Sequence, residues 1–528
     1  MASQADIDNR VPITGALMLA TLMNTLDSTI ANVALPHMQG SLGAAQDQIT
    51  WVLTSYIIAT AIMTPLSGWL SLKIGRKPMF LASIAAFTLA SMACGVAQNL
   101  PEMVIFRLIQ GIAGASMMPL SQTVMLDIYP MSQIPQVMSI WSAAVIMGPI
   151  FGPAIGGWIT ESLDWRWVFF INLPIGVLAF AGIYLFMEGG GGGKQRPFDF
   201  LGFGALITFV SAFQLMTDRG PSQDWFNSRE IWTEAIIAMV GFWVFIVQTL
   251  TSAHPFFHRD LAKDRNYVVC TTFSLMVSAL LFSTPALLPT FMQTLLGYSA
   301  LQSGYASMPR GVGSLMAFLL VPFLIQRLGA RATLLIGIPI AVLALWQMAH
   351  FDLSMTMGPI MISGIIQGFG VGLLFSPLNV LAYATLNPIH RTEGTIVNTM
   401  TRSLGSSVGI SLIEAALTSN TAQAHSTLAN NVNCGDPVFA ATLPGAMNPC
   451  VNGLAAFNGE VSRQAAMIAY DSIFAWMCLG VLLLLPLLLL MRPPAQAPAM
   501  TLEESEPMAV KPGEPRAAAI KLQEMAAE

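Results

Sequence analysis

The chain is 528 residues long, 54% hydrophobic and only 10% charged, with a formal net charge of −5. Soluble domains carry about 25% charged residues, so a chain of this length with so few cannot cover a water-facing surface. Composition excludes a soluble globular protein and makes the bilayer the solvent.

A hydrocarbon core of about 30 Å, crossed at 1.5 Å per residue, needs about 20 apolar residues. The first such run is 11–33, which lacks a small-residue cleavage site and reads as a retained span. Overlapping its second half, "NTLDSTIANVALP" (24–36) places the carboxylate of Asp27 within the span. A charge there costs about 2.5–3.5 kcal/mol on insertion scales. Either Asp27 binds and releases a proton as a cavity opens alternately, or it is a static partner of Arg107 or a capping group beside Ser28 and Thr29.

Spans at 49–70 and 79–97 flank "GWLSLKIGRK" (68–77), which holds Gly68, Lys73, Gly75, Arg76 and Lys77. Its cations can bridge to Asp127, just beyond the fourth span (102–125), and hold that side closed; a solvated basic loop that sets topology is the other reading. The fourth span contains Arg107 in "IFRLIQGIAG". An arginine keeps its proton, so Arg107 can tune Asp27 but not carry the proton; alternatively it snorkels to water near Glu102. The fifth span (136–160) contains "VIMGPIFGPAIGGWI", with Gly148, Gly152, Gly156 and Gly157 interleaved with Pro149 and Pro153. Glycines four apart form a flat stripe that permits close helix packing. The two prolines remove backbone hydrogen bonds and favour a hinge or gate.

A sixth span (167–187) is followed by "MEGGGGGKQRPFDF", whose five glycines (Gly189–Gly193) read as a flexible tether. It is not a phosphate loop: Glu188 stands at the first glycine position and Gln195 at the Ser/Thr position. An additional pair of spans (200–217, 231–250) precedes six more at 266–290, 303–325, 332–350, 357–382, 395–418 and 468–491, fourteen in all. Arg310, Arg402 and Glu414 fall in this second set as candidate substrate or proton sites. Met23, Trp51, Tyr56, Met147 and Phe151 either line an adaptable apolar pocket or pack between helices. "GFGVG" (368–372) lies inside a span and reads as packing. His254 and His258 flank Pro255 in a loop, which argues against a metal site. Cys434 and Cys450 share the segment 419–467; in an oxidising compartment their disulfide would close a loop of about 15 residues and contribute about 3 kcal/mol.

Lys and Arg set the orientation. With the N-terminus inside, the inner connections hold Lys73, Arg76, Lys77, Lys194, Arg196, Arg259, Lys263, Arg265, Arg327, Arg331 and Arg391, and the outer ones only Arg166, Arg219, Arg229 and Arg463. Both termini are then cytoplasmic. The tail 493–528 is rich in Pro, Ala and Glu and reads as disordered.

The chain repeats itself. "LIQGIAGASMMPLS" (108–121) returns as "IIQGFGVGLLFSPLN" (365–379), "KIGRK" (73–77) faces "RLGAR" (327–331), and Gly43, Gln48, Gly148 and Gly152 face Gly297, Gln302, Gly405 and Gly409. The offset of about 255 residues spans eight helices, so two six-helix units are separated by a helix pair: 1–188, then 189–265, then 266–492, with a periplasmic loop at 419–467. Parallel repeats about an axis along the membrane normal place a substrate site between the halves. Asp27 aligns near Leu280 and Arg107 with Gly364, so the embedded charges belong to one half only.

The segments "LDSTIANVALP", "GWLSLKIGRK", "FRLIQGIAGASMMPLSQ", "GPIFGPAIGGWI", "WRWVFFINLPIG" and "LMTDRGPSQDWFNSREI" resemble the signatures of the fourteen-helix drug:proton antiporters of the major facilitator superfamily, the EmrB-type exporters in particular. The resemblance covers about residues 11–492. It implies an all-α integral membrane protein with the major facilitator fold, not an enzyme, needing no cofactor and no nucleic acid, that exports hydrophobic compounds on the proton gradient across a bacterial inner membrane. It also implies a periplasmic membrane-fusion adaptor and a TolC-type outer-membrane channel as partners. Asp27 falls in the first-helix signature, Arg107 in the arginine motif linked to proton transfer, and Gly148–Gly157 in the antiporter motif. Leu72 stands where the loop motif usually carries an acid, leaving Arg76 and Asp127 for that contact. A dedicated exporter of one natural molecule (a siderophore, fatty acid or antibiotic) and a non-transporting sensor or scaffold are the rival readings.

Overall fold

Prolines, glycines and the apolar runs between them set the helix boundaries. The computed structural model describes residues 4–45, 48, 49, 51–188, 197–430 and 454–491, and among these it contains helices and no strand. The five-glycine tether, Cys434, Cys450 and the tail lie outside the described residues.

The principal helices are α1 (Arg10–Leu42), α2 (Trp51–Ile74), α3 (Arg76–Val96), α4 (Leu100–Gly114, then Met117–Ile128), α5 (Ile134–Ser162) and α6 (Trp167–Phe170, then Asn172–Phe186). Next come α7 (Phe200–Arg219) and α8 (Arg229–Thr251). The last six are α9 (Arg265–Leu281, then Thr284–Thr294), α10 (Ala300–Ser307, then Pro309–Leu328), α11 (Ala330–Met348), α12 (Met357–Ala384), α13 (Arg391–Asn430) and α14 (Leu454–Leu482, then Leu485–Leu490). Among the described residues, twelve helical stretches are long and apolar enough to cross a membrane. The two outside that measure are α1 and α13, 33 and 40 residues long, whose hydrophobicity is diluted by polar side chains such as Asn24, Asp27, Asn398 and Arg402. Helix α13 runs past the predicted end at 418 to Asn430.

The breaks have a local cause. The second segments of α9, α10 and α14 each start with a proline in the first turn. Proline has no N–H and its ring clashes with the preceding turn.

The repeat is visible in the backbone. Gly43 and Gly297 both adopt positive φ, 61° and 70°. Gly75 (φ 102°, ψ 152°) and Gly329 (φ 85°, ψ 158°) share a second conformation, which only glycine adopts without strain. The same packing partners recur: α1 with α5 and α9 with α13, α2 with α4 and α10 with α12, α3 with α4 and α6 as α11 with α12 and α14. Helices α7 and α8 pair with each other, and α7 also lies against α2 and α13. It is tied there by Gln214 Nε2 donating to Ser407 Oγ (2.8 Å) and Ser411 Oγ donating to the Thr217 carbonyl (2.6 Å).

Candidate functional site

The mid-span carboxylate and arginine meet. Arg107 Nη1 lies 2.8 Å from Asp27 Oδ2, and both side chains are fully buried. Asp27 Oδ1 accepts from Gln110 Nε2 (2.9 Å) and Asn172 Nδ2 (2.8 Å). Arg107 also donates from Nη1 to Gln110 Oε1 (2.9 Å) and from Nε to the Val52 carbonyl (3.2 Å), and its guanidinium lies 4.5 Å from the centre of the Tyr56 ring. Asn172 Nδ2 reaches Ser91 Oγ at 2.9 Å, and Ser91 donates to the Phe169 carbonyl. Helices α1, α2, α3, α4 and α6 thus converge on one charge pair. Arg107 is no snorkelling terminus: it points inward, and the helix end near Glu102 is capped separately by Asn99.

Single residues in the sequence did not disclose this polar cage. Gln110 lies one turn from Arg107 on the same face, within the repeated Gln-Gly pair, and Asn172 lies within "FFINLPIG"; those were the available signals. The second half holds a neutral counterpart, where Gln367 Nε2 donates to Thr284 Oγ1 at 2.8 Å. Gln367 is the repeat mate of Gln110, so Thr284, four residues beyond the expected Leu280, takes the place of Asp27. Gly364 stands at the arginine position and packs its Cα face on Arg310, whose Cβ is 3.8 Å from where a side chain would begin.

The glycine stripe of α5 faces α1 on the same stretch that carries Asp27. A Cβ on Gly148 would meet Thr25 Oγ1 at 2.5 Å, one on Gly152 would collide with Thr29, and one on Gly156 would lie 2.8 Å from Ile30 Cγ1. Gly157 has more room, with Val33 at 3.9 Å. Thr25 and Thr29 donate to the carbonyls of Ala144 (3.3 Å) and Gly148 (3.1 Å), the second of these adjacent to Pro149. On its other side α5 packs against α10, where a Cβ on Gly304 would sit 3.0 Å from Ala154 Cα, and one on Gly311 2.7 Å from Ile150 Cγ2. Helix α5 therefore connects the charge-bearing helix to the second half.

Polar contacts between the halves gather at the Asp127 end. Asp127 receives Arg76 from the first half (2.5 Å) and Arg391 from the second (3.5 Å). Arg391 Nη1 also donates to the Leu126 carbonyl, and Arg76 Nη2 to Thr392 Oγ1. Deeper lie Thr123 with Thr395 (2.7 Å), Ser139 with Ser376 (2.8 Å), Gln122 with Asn379 (3.3 Å) and Tyr383 with Gln122 (3.3 Å). Of the loop cations only Arg76 reaches Asp127. Lys73 lies over Trp69, and Lys77 donates to the Tyr184 carbonyl; Gly68 admits Ile396 of α13. Arg391, counted only for topology from sequence, is the second arm of this contact.

The second-half candidates do not converge. Arg310 Nη2 donates to the Leu281 carbonyl at 3.2 Å, the group left without a helical donor because Pro285 lies four residues on. Arg402 is buried between the halves, 5.6 Å from the Trp141 ring centre and 5.1 Å from that of Phe375, with Nη2 on Met118 Sδ and Nη1 without a hydrogen-bond partner. Glu414 is exposed on α13, about three turns beyond Arg402.

Known proteins share this outline. A sequence profile of the Major Facilitator Superfamily matches residues 17–410. The chain is 35% identical over 493 residues to the multidrug export protein EmrB of Escherichia coli K12, covering 92% of this chain and 96% of that one. It is 32% identical over 491 residues to the fatty acid resistance protein FarB of Neisseria gonorrhoeae, covering 91% and 96%. Among solved structures, the human organic anion transporter MFSD10 superposes with a TM-score of 0.57 at 13% identity, covering 90% of this chain and 99% of its own. That last likeness concerns the fold alone.

Proposed function

The chain belongs to the major facilitator superfamily, and from that premise we propose that it is a proton-driven exporter of hydrophobic toxic compounds working by alternating access. Fourteen helices span an inner bacterial membrane as two six-helix units plus the α7–α8 pair, with both termini cytoplasmic. An adaptor and an outer-membrane channel of the TolC type extend the path. Asp127 with Arg76 and Arg391 closes the cytoplasmic side, so this conformation faces outward.

The observation that carries the coupling role is the fully buried Asp27–Arg107 pair on a helix whose neighbouring threonines hold α5. While ionised, Asp27 holds Arg107, Gln110 and Asn172 in one cluster. A proton on its carboxyl group removes the charge that holds Arg107, and α1 relaxes. Thr25 and Thr29 pass that movement to α5, and α5 passes it to α10. By linkage, a compound that binds the deprotonated state better promotes proton release, and proton uptake promotes release of the compound. Its binding site lies between the halves, where Arg402, Trp141 and Phe375 meet. The FarB relative and the buried, incompletely bonded Arg402 favour an acidic lipophile, such as a fatty acid, as a dedicated cargo in the alternative reading.

The test is proton release from purified, weakly buffered protein on adding a panel of lipophilic dyes and acids, compared with Asp27→Asn. Release by wild type alone supports coupling at Asp27. Equal release by both removes Asp27 from the coupling step, and binding without release in either removes antiport.

A further inference from the structure

The α8–α9 connection and the root of α13 place three metal-ligating side chains together outside the transport pathway. His258 Nδ1 lies 3.1 Å from Asp260 Oδ2, and His390 Nε2 lies 3.9 Å from the same oxygen. All three ligand atoms fall within 4.8 Å of one another. Four-coordinate zinc, with bonds of about 2.0–2.2 Å, sets its ligand atoms about 3.4 Å apart, near the spacings found here, so the triad closes on an ion once the two imidazole rings turn their in-plane nitrogens toward one point. His258 and His390 are 132 residues apart in sequence, and nothing local brings them together.

The surroundings orient the ligands. Lys263 Nζ takes the other oxygen, Asp260 Oδ1, at 2.9 Å and leaves Oδ2 facing the imidazoles. The two rings stack with centroids 4.5 Å apart and planes 26° apart, which keeps them adjacent; coordination turns them out of this stack and releases His258 Nδ1 from the Asp260 main-chain N–H at 3.3 Å. The His258 main-chain N–H donates to Glu393 Oε2 at 2.8 Å, fixing the loop against α13. Such outer contacts are what hold metal ligands in place. Two imidazole nitrogens and one carboxylate oxygen suit Zn²⁺, Ni²⁺ or Cu²⁺ rather than Mg²⁺ or Ca²⁺. His254 and Pro255, which alone argue against a site, are not part of it; the second histidine comes from a different loop.

We propose that His258, Asp260 and His390 form a divalent transition-metal site that fastens the α8–α9 connection to the root of α13. Arg391, the next residue after His390, holds Asp127 and the Leu126 carbonyl across the halves. Metal binding therefore stabilises the closed Asp127 end, because an ion that binds one conformation better draws the population toward it.

The experiment uses the full-length, tag-free protein in detergent, titrated with Zn²⁺ against a chromogenic chelator. Wild type binds one equivalent saturably. His258→Ala and His390→Ala, each confirmed as monodisperse, lower the affinity at least tenfold, as does Asp260→Asn, while the exposed His254→Ala leaves it unchanged. Zinc raises the melting temperature of wild type and not of the histidine variants. Absence of stoichiometric binding in wild type, or binding that survives the His258→Ala/His390→Ala pair, overturns the proposal, and neither result bears on proton release.

Discussion

Replacing Asp27 with Asn removes a charge and keeps the shape, and the burial of its partner sets the cost. Arg107 remains, fully buried, with its carboxylate partner gone. Breaking a buried pair from one side costs about 3–5 kcal/mol, because the other charge is left uncompensated. Removing both charges, in Asp27→Asn/Arg107→Gln, avoids that cost and recovers most of the loss, since the remaining amides can bond to Gln110, Asn172 and the Val52 carbonyl. The assay is reversible unfolding in mixed micelles titrated with SDS, on wild type, both single variants and the double. The expected order has the double variant closer to wild type than either single one. Proton release on ligand addition stays absent in the double variant, which separates folding from coupling. Single and double variants all within about 0.5 kcal/mol of wild type would refute a sealed, mutually dependent pair.

Three further outcomes are expected. Gly148→Val forces a side chain into Thr25 and costs about 1–3 kcal/mol by overpacking, read in the same unfolding assay; Gly157→Ala, with Val33 at 3.9 Å, costs little. Asp127→Asn removes the negative charge shared by Arg76 and Arg391 and replaces one of their two acceptor oxygens with a donor. At about 1.5–3 kcal/mol for charge-assisted hydrogen bonds, it shifts the conformational equilibrium roughly ten- to hundredfold, seen as longer spin-label distances between the ends of α4 and α13. Gly75→Ala puts a Cβ at φ 102° and costs about 1–3 kcal/mol of backbone strain; a matching loss at Gly329→Ala checks that the two turns are equivalent.

Hydrophobic runs marked nearly every helix, because a bilayer imposes one length and one polarity on each span. The repeat was legible from glycines for a related reason: positive φ at Gly43, Gly75, Gly297 and Gly329 admits few other residues. Asp27 and Arg107 stood out because charge in a span is rare. Gln110 and Asn172 did not, since amides in membrane helices have many uses and only the packing of five helices shows that both point at one carboxylate. Arg310 stood out equally and turns out to satisfy a carbonyl freed by Pro285, a task set by the helix break. Contacts between the halves, such as Arg391 with Asp127, depend on which ends of distant helices meet, and no local pattern encodes that.

Every named polar partner of Asp27 belongs to the first six helices. On the proposed mechanism, proton and cargo then never share ligands, and the protein rather than the cargo fixes how many protons enter per cycle. The electrical character of the cycle is left to the cargo. With one proton per turn, export of a monovalent cation moves no net charge, export of a neutral compound moves one, and export of a monovalent anion moves two. At about 2.3 kcal/mol per charge per 100 mV, the membrane voltage contributes nothing to the first and about 4.6 kcal/mol to the last. Collapsing the voltage while keeping the pH gradient would then sort compounds by their charge, with acidic lipophiles losing the most driving force.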